Sequence, residues 1–171
     1  MKELTFEEAL AESERLLSRL DESELAGSTV RQEIGSIVGT VSGARGFLVT
    51  LLTGEYGASD QPGEVLLEGL SAAAPVVCDL LAKNLVMSTA MAVTHERNGE
   101  GEMADGSRRV FIRTSKLVTM LDSDEMRKRI EEMWLSVTEG RGQYLSFLKR
   151  WKYDDEQLEK VAASLKPLRK A

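Results

Sequence analysis

The sequence has few of the residues from which covalent, metal or catalytic sites are usually built. It contains one cysteine, Cys78, and one histidine, His95, among 171 residues. A single cysteine excludes an internal disulfide and is typical of a reducing compartment. One cysteine and one histidine, separated by several helical turns, provide neither a zinc-ligand spacing nor a nucleophile–base pair. We therefore predict no catalytic residue, no metal and no cofactor.

Aromatic and β-branched runs, which are typical of strands, are also scarce. Aromatic residues make up 5% of the chain, apolar residues 42% and charged residues 29%, and there are three prolines. Residues with high helix propensity dominate instead. We predict an all-α fold, and the chain is long enough for a single domain, 1–171, with its own core.

The chain lacks an excess of positive charge, with a formal net charge of −6 and an isoelectric point near 5.0. Such a protein has no general attraction to nucleic acid or to anionic membranes, so neither is predicted as a partner. The acidic, amphipathic N-terminus does not resemble a secretory signal. The longest apolar run, Val65–Val93, contains Glu68, Asp79, Lys83 and Pro75, which argues against a membrane span. The expected location is the cytoplasm.

That apolar run predicts a central helix over residues 63–97. Its apolar residues recur at alternating spacings of four and three, which is helical periodicity, and they cover most of the helix circumference. Such a helix must be surrounded by other elements. Pro75 lies inside it and is expected to kink it, because proline removes one backbone hydrogen bond.

The remaining periodicity predicts a bundle of about five or six helices around this central helix. Capping residues mark four of the helix starts, at Thr5 with Glu8, at Ser28, at Ser123, and at Asp154 with Gln157. The segment 108–121 fits either a strand or a helix, and we assign a helix because a strand would have no partner. Turn-forming residues predict flexible loops near 53–63 and 98–107. The predicted helices are 5–25, 29–53, 63–97, 108–121, 123–152 and 155–166.

Four glycines are placed at helical spacing in the predicted helix 29–53. In an uninterrupted helix they occupy one face, apart from the apolar residues. Each interior glycine costs about 0.5–1 kcal/mol relative to alanine, so a compensating close contact is expected. The face has three interpretations: close packing in the core, contact between subunits, or the wall of a ligand pocket. The four residues are Gly35, Gly39, Gly43 and Gly46.

Asn84 is the polar interruption in the apolar series of the central helix. A buried asparagine in such a series can fix the register or the oligomeric state. It can equally accept and donate hydrogen bonds to the backbone of a facing helix, and we leave both interpretations open.

Four basic residues follow the glycine-rich segment 98–107 with no acidic residue among them. Arginine can bind a carboxylate or phosphate through two parallel hydrogen bonds, so the cluster is a candidate site for a partner or an anion. The alternative, which we favour, is that these residues pair with acidic side chains of neighbouring helices. The cluster consists of Arg108, Arg109, Arg113 and Lys116.

His95 and Glu96 lie near the predicted end of the central helix. They could form a small acid–base site, or a polar mouth for a pocket. The simpler interpretation is a half-exposed cap, because the helix dipole favours a charged histidine at a C-terminus.

These observations favour a non-enzymatic cytoplasmic helical protein that acts by contact with another protein or with itself, for example as a homodimer. The alternative is a protein that binds a small ligand, or an unusual enzyme. Its pocket would lie between the glycine-faced helix 29–53 and the central helix.

Overall fold

The computed structural model describes residues 4–22 and 26–169, and this part of the chain is helical, without a β-strand. The all-α prediction is therefore confirmed, as is the helix predicted over 108–121. The described residues contain ten α-helices, which are more than predicted because long predicted helices are divided. They are α1 (Phe6–Asp21), α2 (Gly27–Val38), α3 (Val41–Thr53), α4 (Gly57–Asp60), α5 (Glu64–Ser71), α6 (Ala74–Arg97), α7 (Gly101–Leu121), α8 (Asp124–Glu139), α9 (Leu145–Trp151) and α10 (Asp155–Leu165), followed by a 3-10 helix, Lys166–Leu168.

The chain divides into two compact units, Met1–Leu80 and Leu81–Ala171, and the division falls inside α6. In the first unit α1 packs on α3 and α2 packs on α5. The predicted capping box begins α1, where the Thr5 hydroxyl accepts from the Glu8 N–H and the Glu8 carboxylate accepts from the Thr5 N–H. The helix ends at Asp21, and the predicted helical residues 23–25 lie outside the described residues. The segment predicted as a loop, 53–63, contains the short helix α4.

The prediction of one helix over 29–53 is wrong, because α2 and α3 are separate helices that meet at Gly39 and Thr40. The cap predicted at Ser28 is wrong as well, because α2 already begins at Gly27, after Ala26. Thr40 has an extended backbone (φ −123°, ψ 160°), and its hydroxyl accepts a hydrogen bond from the N–H of Gly43. The corner is tight, since a Cβ on Gly43 would lie 1.9 Å from the carbonyl oxygen of Ile37. The periodicity did not reveal the break, because it depends on the spacing of apolar side chains and not on the capping residue at the start of a helix.

The prediction of one kinked helix over 63–97 is also wrong. Ala72 and Ala73 form a turn between α5 and α6, and Pro75 lies in the first turn of α6. Residues in the first turn of a helix donate no intrahelical hydrogen bond, so proline is tolerated there and its fixed φ favours the helix. Pro75 therefore stands near a helix start rather than at a kink.

The helix α6 is the long apolar helix of the structure, and it is largely buried. By length and composition it is the one helix in the described residues that could cross a membrane, and more than half of its apolar window is buried inside the protein. Core helices of globular proteins have the same composition. Its buried apolar residues are Val77, Cys78, Leu81, Ala82, Leu85, Val86, Ala90, Ala92 and Val93.

In the second unit, the prediction of a flexible loop over 98–107 is wrong. The turn takes only residues 98–100, with Gly99 in the left-handed region (φ +72°), and α7 begins at Gly101. The loop was predicted from the glycine content of this segment, but these glycines are compatible with a helix that begins immediately after a short turn. As a result α7 extends for 21 residues.

The helix predicted over 123–152 is divided as well. Ser123 caps α8 as predicted, since its hydroxyl accepts from the N–H of Met126. Gly140 (φ +64°) and Gly142 (φ +109°) then adopt left-handed backbone conformations that end α8 before α9 begins. Glycine adopts this conformation without the steric cost that a Cβ imposes.

The last helix, α10, is anchored on the C-terminal half of α6. The predicted capping box is present between Asp154 and Gln157. The buried amide of Gln157 also donates from Nε2 to the carbonyl oxygen of Ala90, at 3.1 Å, and to Oγ1 of Thr94, at 3.0 Å. Arg97 forms ion pairs with Asp154 and Glu156 at the same junction.

Candidate partner-binding surface

The four glycines of the predicted glycine face have separate roles in the structure. Gly46 of α3 lies against α1, where an added Cβ would be 2.6 Å from the Cβ of Ala9. Gly35 of α2 lies against Ala72, with a corresponding distance of 3.3 Å. Gly39 and Gly43 belong instead to the corner between α2 and α3. The common glycine face therefore does not exist, because it required one continuous helix.

The close contacts leave no shelf for a flat ligand at Gly35 or Gly46. A further close approach, which the sequence pattern did not reveal, occurs at Gly69 of α5, where a Cβ would lie 2.7 Å from the Cβ of Ile34. In the sequence, this close approach is indicated only by a small residue within an apolar helix segment. Only the structure shows that a side chain of the neighbouring helix occupies the space beside Gly69. Here α2 and α5 pack closely through Ile34, Gly35, Gly69 and Ala72.

Asn84 is half-buried in α6. Its backbone carbonyl accepts a hydrogen bond of 2.6 Å from the hydroxyl of Ser88. The residue lies between the fully buried positions of the helix and its exposed side. Both interpretations of its side chain, in self-association and in backbone capping, stay predictions.

His95 and Glu96 lie side by side at the end of α6 but contact different partners. Nδ1 of His95 lies 2.5 Å from Oε2 of Glu100, the residue that precedes α7. Hydrogen bonding to His95, and secondly to Asn98, lowers the pKa of the Glu100 carboxyl from its ordinary value. Glu96 instead pairs with Arg108 of α7. Through these contacts, both residues connect the end of α6 to the residues on the other side of the turn that precedes α7.

The basic cluster lies on α7, but its members do not form one free cationic surface. Arg108 pairs with Glu96 and, at 2.5 Å, with Asp105. Arg113 is only 3% exposed, so it cannot present its guanidinium to a partner at the surface. Arg109, Arg113 and Lys116 each have an interaction within the chain. The pairing that we favoured from the sequence is present at Arg108.

The exposed side of α7 combines cations with a large apolar side chain. Ile112 is 64% exposed, more than any other large apolar residue in the described part of the chain. The exposure of Ile112 was not predicted from the sequence, because an isoleucine at this position is compatible with a buried helix face as well as an exposed one. We call this surface the α7 face; it consists of Arg108, Arg109, Ile112, Lys116 and Thr119.

A small cavity lies at the C-terminal end of α7, beside Thr119. Its volume is about 70 Å³. Its rim includes Arg127, which forms ion pairs with Asp122 (2.7 Å) and Asp124 (2.5 Å). The cavity is lined by Val118, Thr119, Asp122, Met126, Arg127, Ile130, Pro167 and Leu168.

The titratable residues do not converge on a metal centre in residues 4–22 and 26–169. In that part of the chain, no group of three or more His, Cys, Asp or Glu side chains is placed to hold a metal ion. Cys78 is buried and belongs to no disulfide.

Comparison with known proteins places the chain in a family. The family model described as Uncharacterised conserved protein UCP020893 matches residues 5–168. The chain belongs to this family. Its match includes both compact units and every helix described above. Neither a curated protein nor a solved structure matches the chain.

Proposed function

We propose that this protein is a non-enzymatic helical protein that acts by contact with another protein or with a second copy of itself. The observation that supports the proposal most is the exposure of Ile112 on the α7 face, between the cations Arg109 and Lys116. Fully burying a side chain of this size stabilises a complex by about 1.5–3 kcal/mol. Apolar side chains and arginine together are typical of protein–protein interfaces.

The proposal places this contact in the cytoplasm and includes no nucleic acid and no membrane as partner. Cys78, the single cysteine, is buried and belongs to no disulfide, which supports a reducing compartment. The net charge of −6 supports the exclusion of polyanionic partners, because a protein of net negative charge has no general attraction to them.

The test compares the wild-type protein with Ile112→Glu by native mass spectrometry across a range of protein concentrations. A photo-crosslinking amino acid at position 112, in cells of the source organism, examines contact with other proteins in parallel. We expect either an oligomer that the substitution dissociates, or a defined crosslinked adduct. The reason is that a carboxylate at the centre of an apolar contact is desolvated without a partner.

The matched control is Val41 of α3, which is 58% exposed and lies outside the α7 face. Val41→Glu should leave any oligomer intact, and a crosslinker at position 41 should give no adduct of the same mass. A monomer at all concentrations, together with identical crosslinking at positions 112 and 41, would overturn the proposal.

A further inference from the structure

The turn between α6 and α7 has the backbone pattern of a Schellman motif. Gly99 adopts the left-handed conformation (φ +72°), and its N–H donates to the carbonyl oxygen of Glu96 at 3.1 Å. The N–H of Glu100 donates to the carbonyl oxygen of His95 at 2.9 Å. In this motif a hydrophobic contact frequently joins the two residues of the second bond. Here they are a histidine and a glutamate, so the contact that closes the turn can change its charge.

The side chains of His95 and Glu100 also bind each other. Nδ1 of His95 lies 2.5 Å from Oε2 of Glu100, and the His95 side chain is only 13% exposed. The side-chain amide of Asn98 donates to the same carboxylate oxygen at 3.5 Å. Hydrogen bonding to His95, and secondly to Asn98, lowers the pKa of Glu100 below its ordinary value of 4.5. Glu100 is therefore ionised in mild acid, where a histidine side chain becomes a cation.

Protonation of His95 changes the strength of this contact. The imidazolium donates from both ring nitrogens and forms an ion pair with the carboxylate, whereas the neutral ring donates to Glu100 only when its one proton is on Nδ1. The negative end of the α6 dipole also favours the cation. The contribution of Glu100 is lost as the pH falls through its lowered pKa. The contribution of the imidazolium is lost as the pH rises through the range of about 5 to 8 in which histidine titrates.

The other charged side chains around this turn are carboxylates and arginines. Carboxylates ordinarily titrate below about pH 5 and arginine above about pH 12, so neither type changes its charge in the range of histidine. A change at this turn between about pH 5 and 8 therefore belongs to His95. The surrounding groups pair with one another: Glu96 and Asp105 with Arg108 of α7, and Asp154 and Glu156 of α10 with Arg97.

The start of α7 is sensitive to this contact because little else stabilises it. No side chain caps the helix at Glu100, whose carboxylate binds His95 instead. Gly101 and Gly106 are poor helix formers, and a Cβ added to either would meet nothing within 4 Å. Among residues 101–107, only Ala104 is buried.

We propose that His95 and Glu100 form a pH-sensitive clasp, which holds the first two turns of α7 in mild acid and loosens them above neutral pH. The clasp is closed as an ion pair when both side chains are charged, and it opens as the imidazole loses its proton. This inference goes beyond the proposed function and does not rest on it. Its failure would leave the exposure of Ile112, which supports that function, unchanged.

Amide hydrogen exchange of the full chain, measured by NMR, tests the clasp. The N–H of Ala104 reports on the start of α7, because it donates to the carbonyl oxygen of Glu100 at 3.0 Å. Its protection, corrected for the chemical exchange rate at each pH and compared with the amide of Leu117 in the same helix, should be about threefold higher at about pH 5.5 than at about pH 8. His95 is the one histidine of the chain, so its ring resonances report its charge at each pH. The protection should fall as that charge is lost.

Two variants remove the clasp, and a third is the matched control. His95→Gln should abolish the pH dependence at Ala104, because glutamine does not titrate. Glu100→Gln should remove most of it, because glutamine forms no ion pair with the imidazolium. Glu102→Gln changes an exposed carboxylate of the same helical turn and should leave the threefold difference intact. Circular dichroism of each variant verifies that the fold is retained.

Equal protection of Ala104 at the two pH values would overturn the clasp. So would a pH difference that is undiminished in either His95→Gln or Glu100→Gln. A difference that Glu102→Gln removes as completely as Glu100→Gln would assign the effect to the total charge of the turn, and it would overturn the clasp as well.

Discussion

At the scale of single residues, the glycines differ sharply in what surrounds them. A Cβ added to Gly46 would lie 2.6 Å from the Cβ of Ala9 and 3.1 Å from its carbonyl carbon. A Cβ added to Gly106 of α7 would meet no neighbouring side chain or helix within 4 Å. The two residues look alike in the sequence, but one is required by packing and the other is not.

The first prediction concerns these two glycines. Gly46→Ala should lower the free energy of unfolding by about 1–3 kcal/mol, because the added methyl group overpacks the contact between α3 and α1. Gly106→Ala should raise it by about 0.5–1 kcal/mol, because alanine is the better helix former where space is open. Urea denaturation followed by circular dichroism measures both. Equal effects of the two substitutions would contradict the packing argument.

At the scale of helices, the capping residues determine where a helix begins, together with the contacts that these residues make. Thr40 begins α3, Ser123 begins α8, and Asp154 begins α10. At Asp154 the cap has a second role, because its carboxylate also binds Arg97 at the end of α6. The hydrogen bond from Arg97, followed by the one from the Gln157 N–H, lowers the pKa of Asp154 to about 2.

The second prediction is a loss of stability in acid at this junction. A carboxyl group whose pKa is lower in the folded state than its ordinary value of 3.8 stabilises the fold above that value. This contribution is lost as the pH falls through the folded pKa of about 2. The free energy of unfolding should therefore decrease between about pH 4 and pH 2.

The variant Asp154→Asn isolates this contribution, because asparagine still caps a helix but does not titrate. The difference in unfolding free energy between wild type and variant should be larger at about pH 5 than at about pH 2, as measured by urea denaturation at each pH. A difference that is independent of pH would show that the ion pair with Arg97 contributes nothing to stability.

At the scale of the whole molecule, the chain has two compact units and one helix with residues in both. The single domain that we expect from the sequence stays a prediction. A single domain has a consequence for unfolding, because the parts of one cooperative domain unfold together.

The third prediction tests this cooperativity with the two tryptophans, Trp134 and Trp151, which both belong to the second unit. Gly46→Ala alters the first unit. If the chain is one domain, the substitution should shift the tryptophan fluorescence transition and the circular dichroism transition to the same extent. A fluorescence transition that does not move would instead indicate two domains that unfold independently.

Much of the helical structure could be predicted from local sequence. The capping patterns at Thr5, Ser123 and Asp154 are correct because they depend on residues within one turn. The candidate surface was predicted only in part. The basic residues of α7 were identified, but the exposure of Ile112 and the burial of Arg113 depend on which side of the helix its neighbours cover.

The sequence by itself determined the all-α class, the long apolar helix and the capped starts of α1, α8 and α10, because periodicity and caps act over a few residues. The breaks in the long predicted helices, at Thr40, at Ala72–Ala73 and at Gly140, became visible only in the tertiary structure, because the apolar periodicity continues across them. Only the tertiary structure decided which glycines are packed closely. Gly46 needs its small size because Ala9, which is distant in the sequence, lies against it, and local patterns carry no information about such a neighbour.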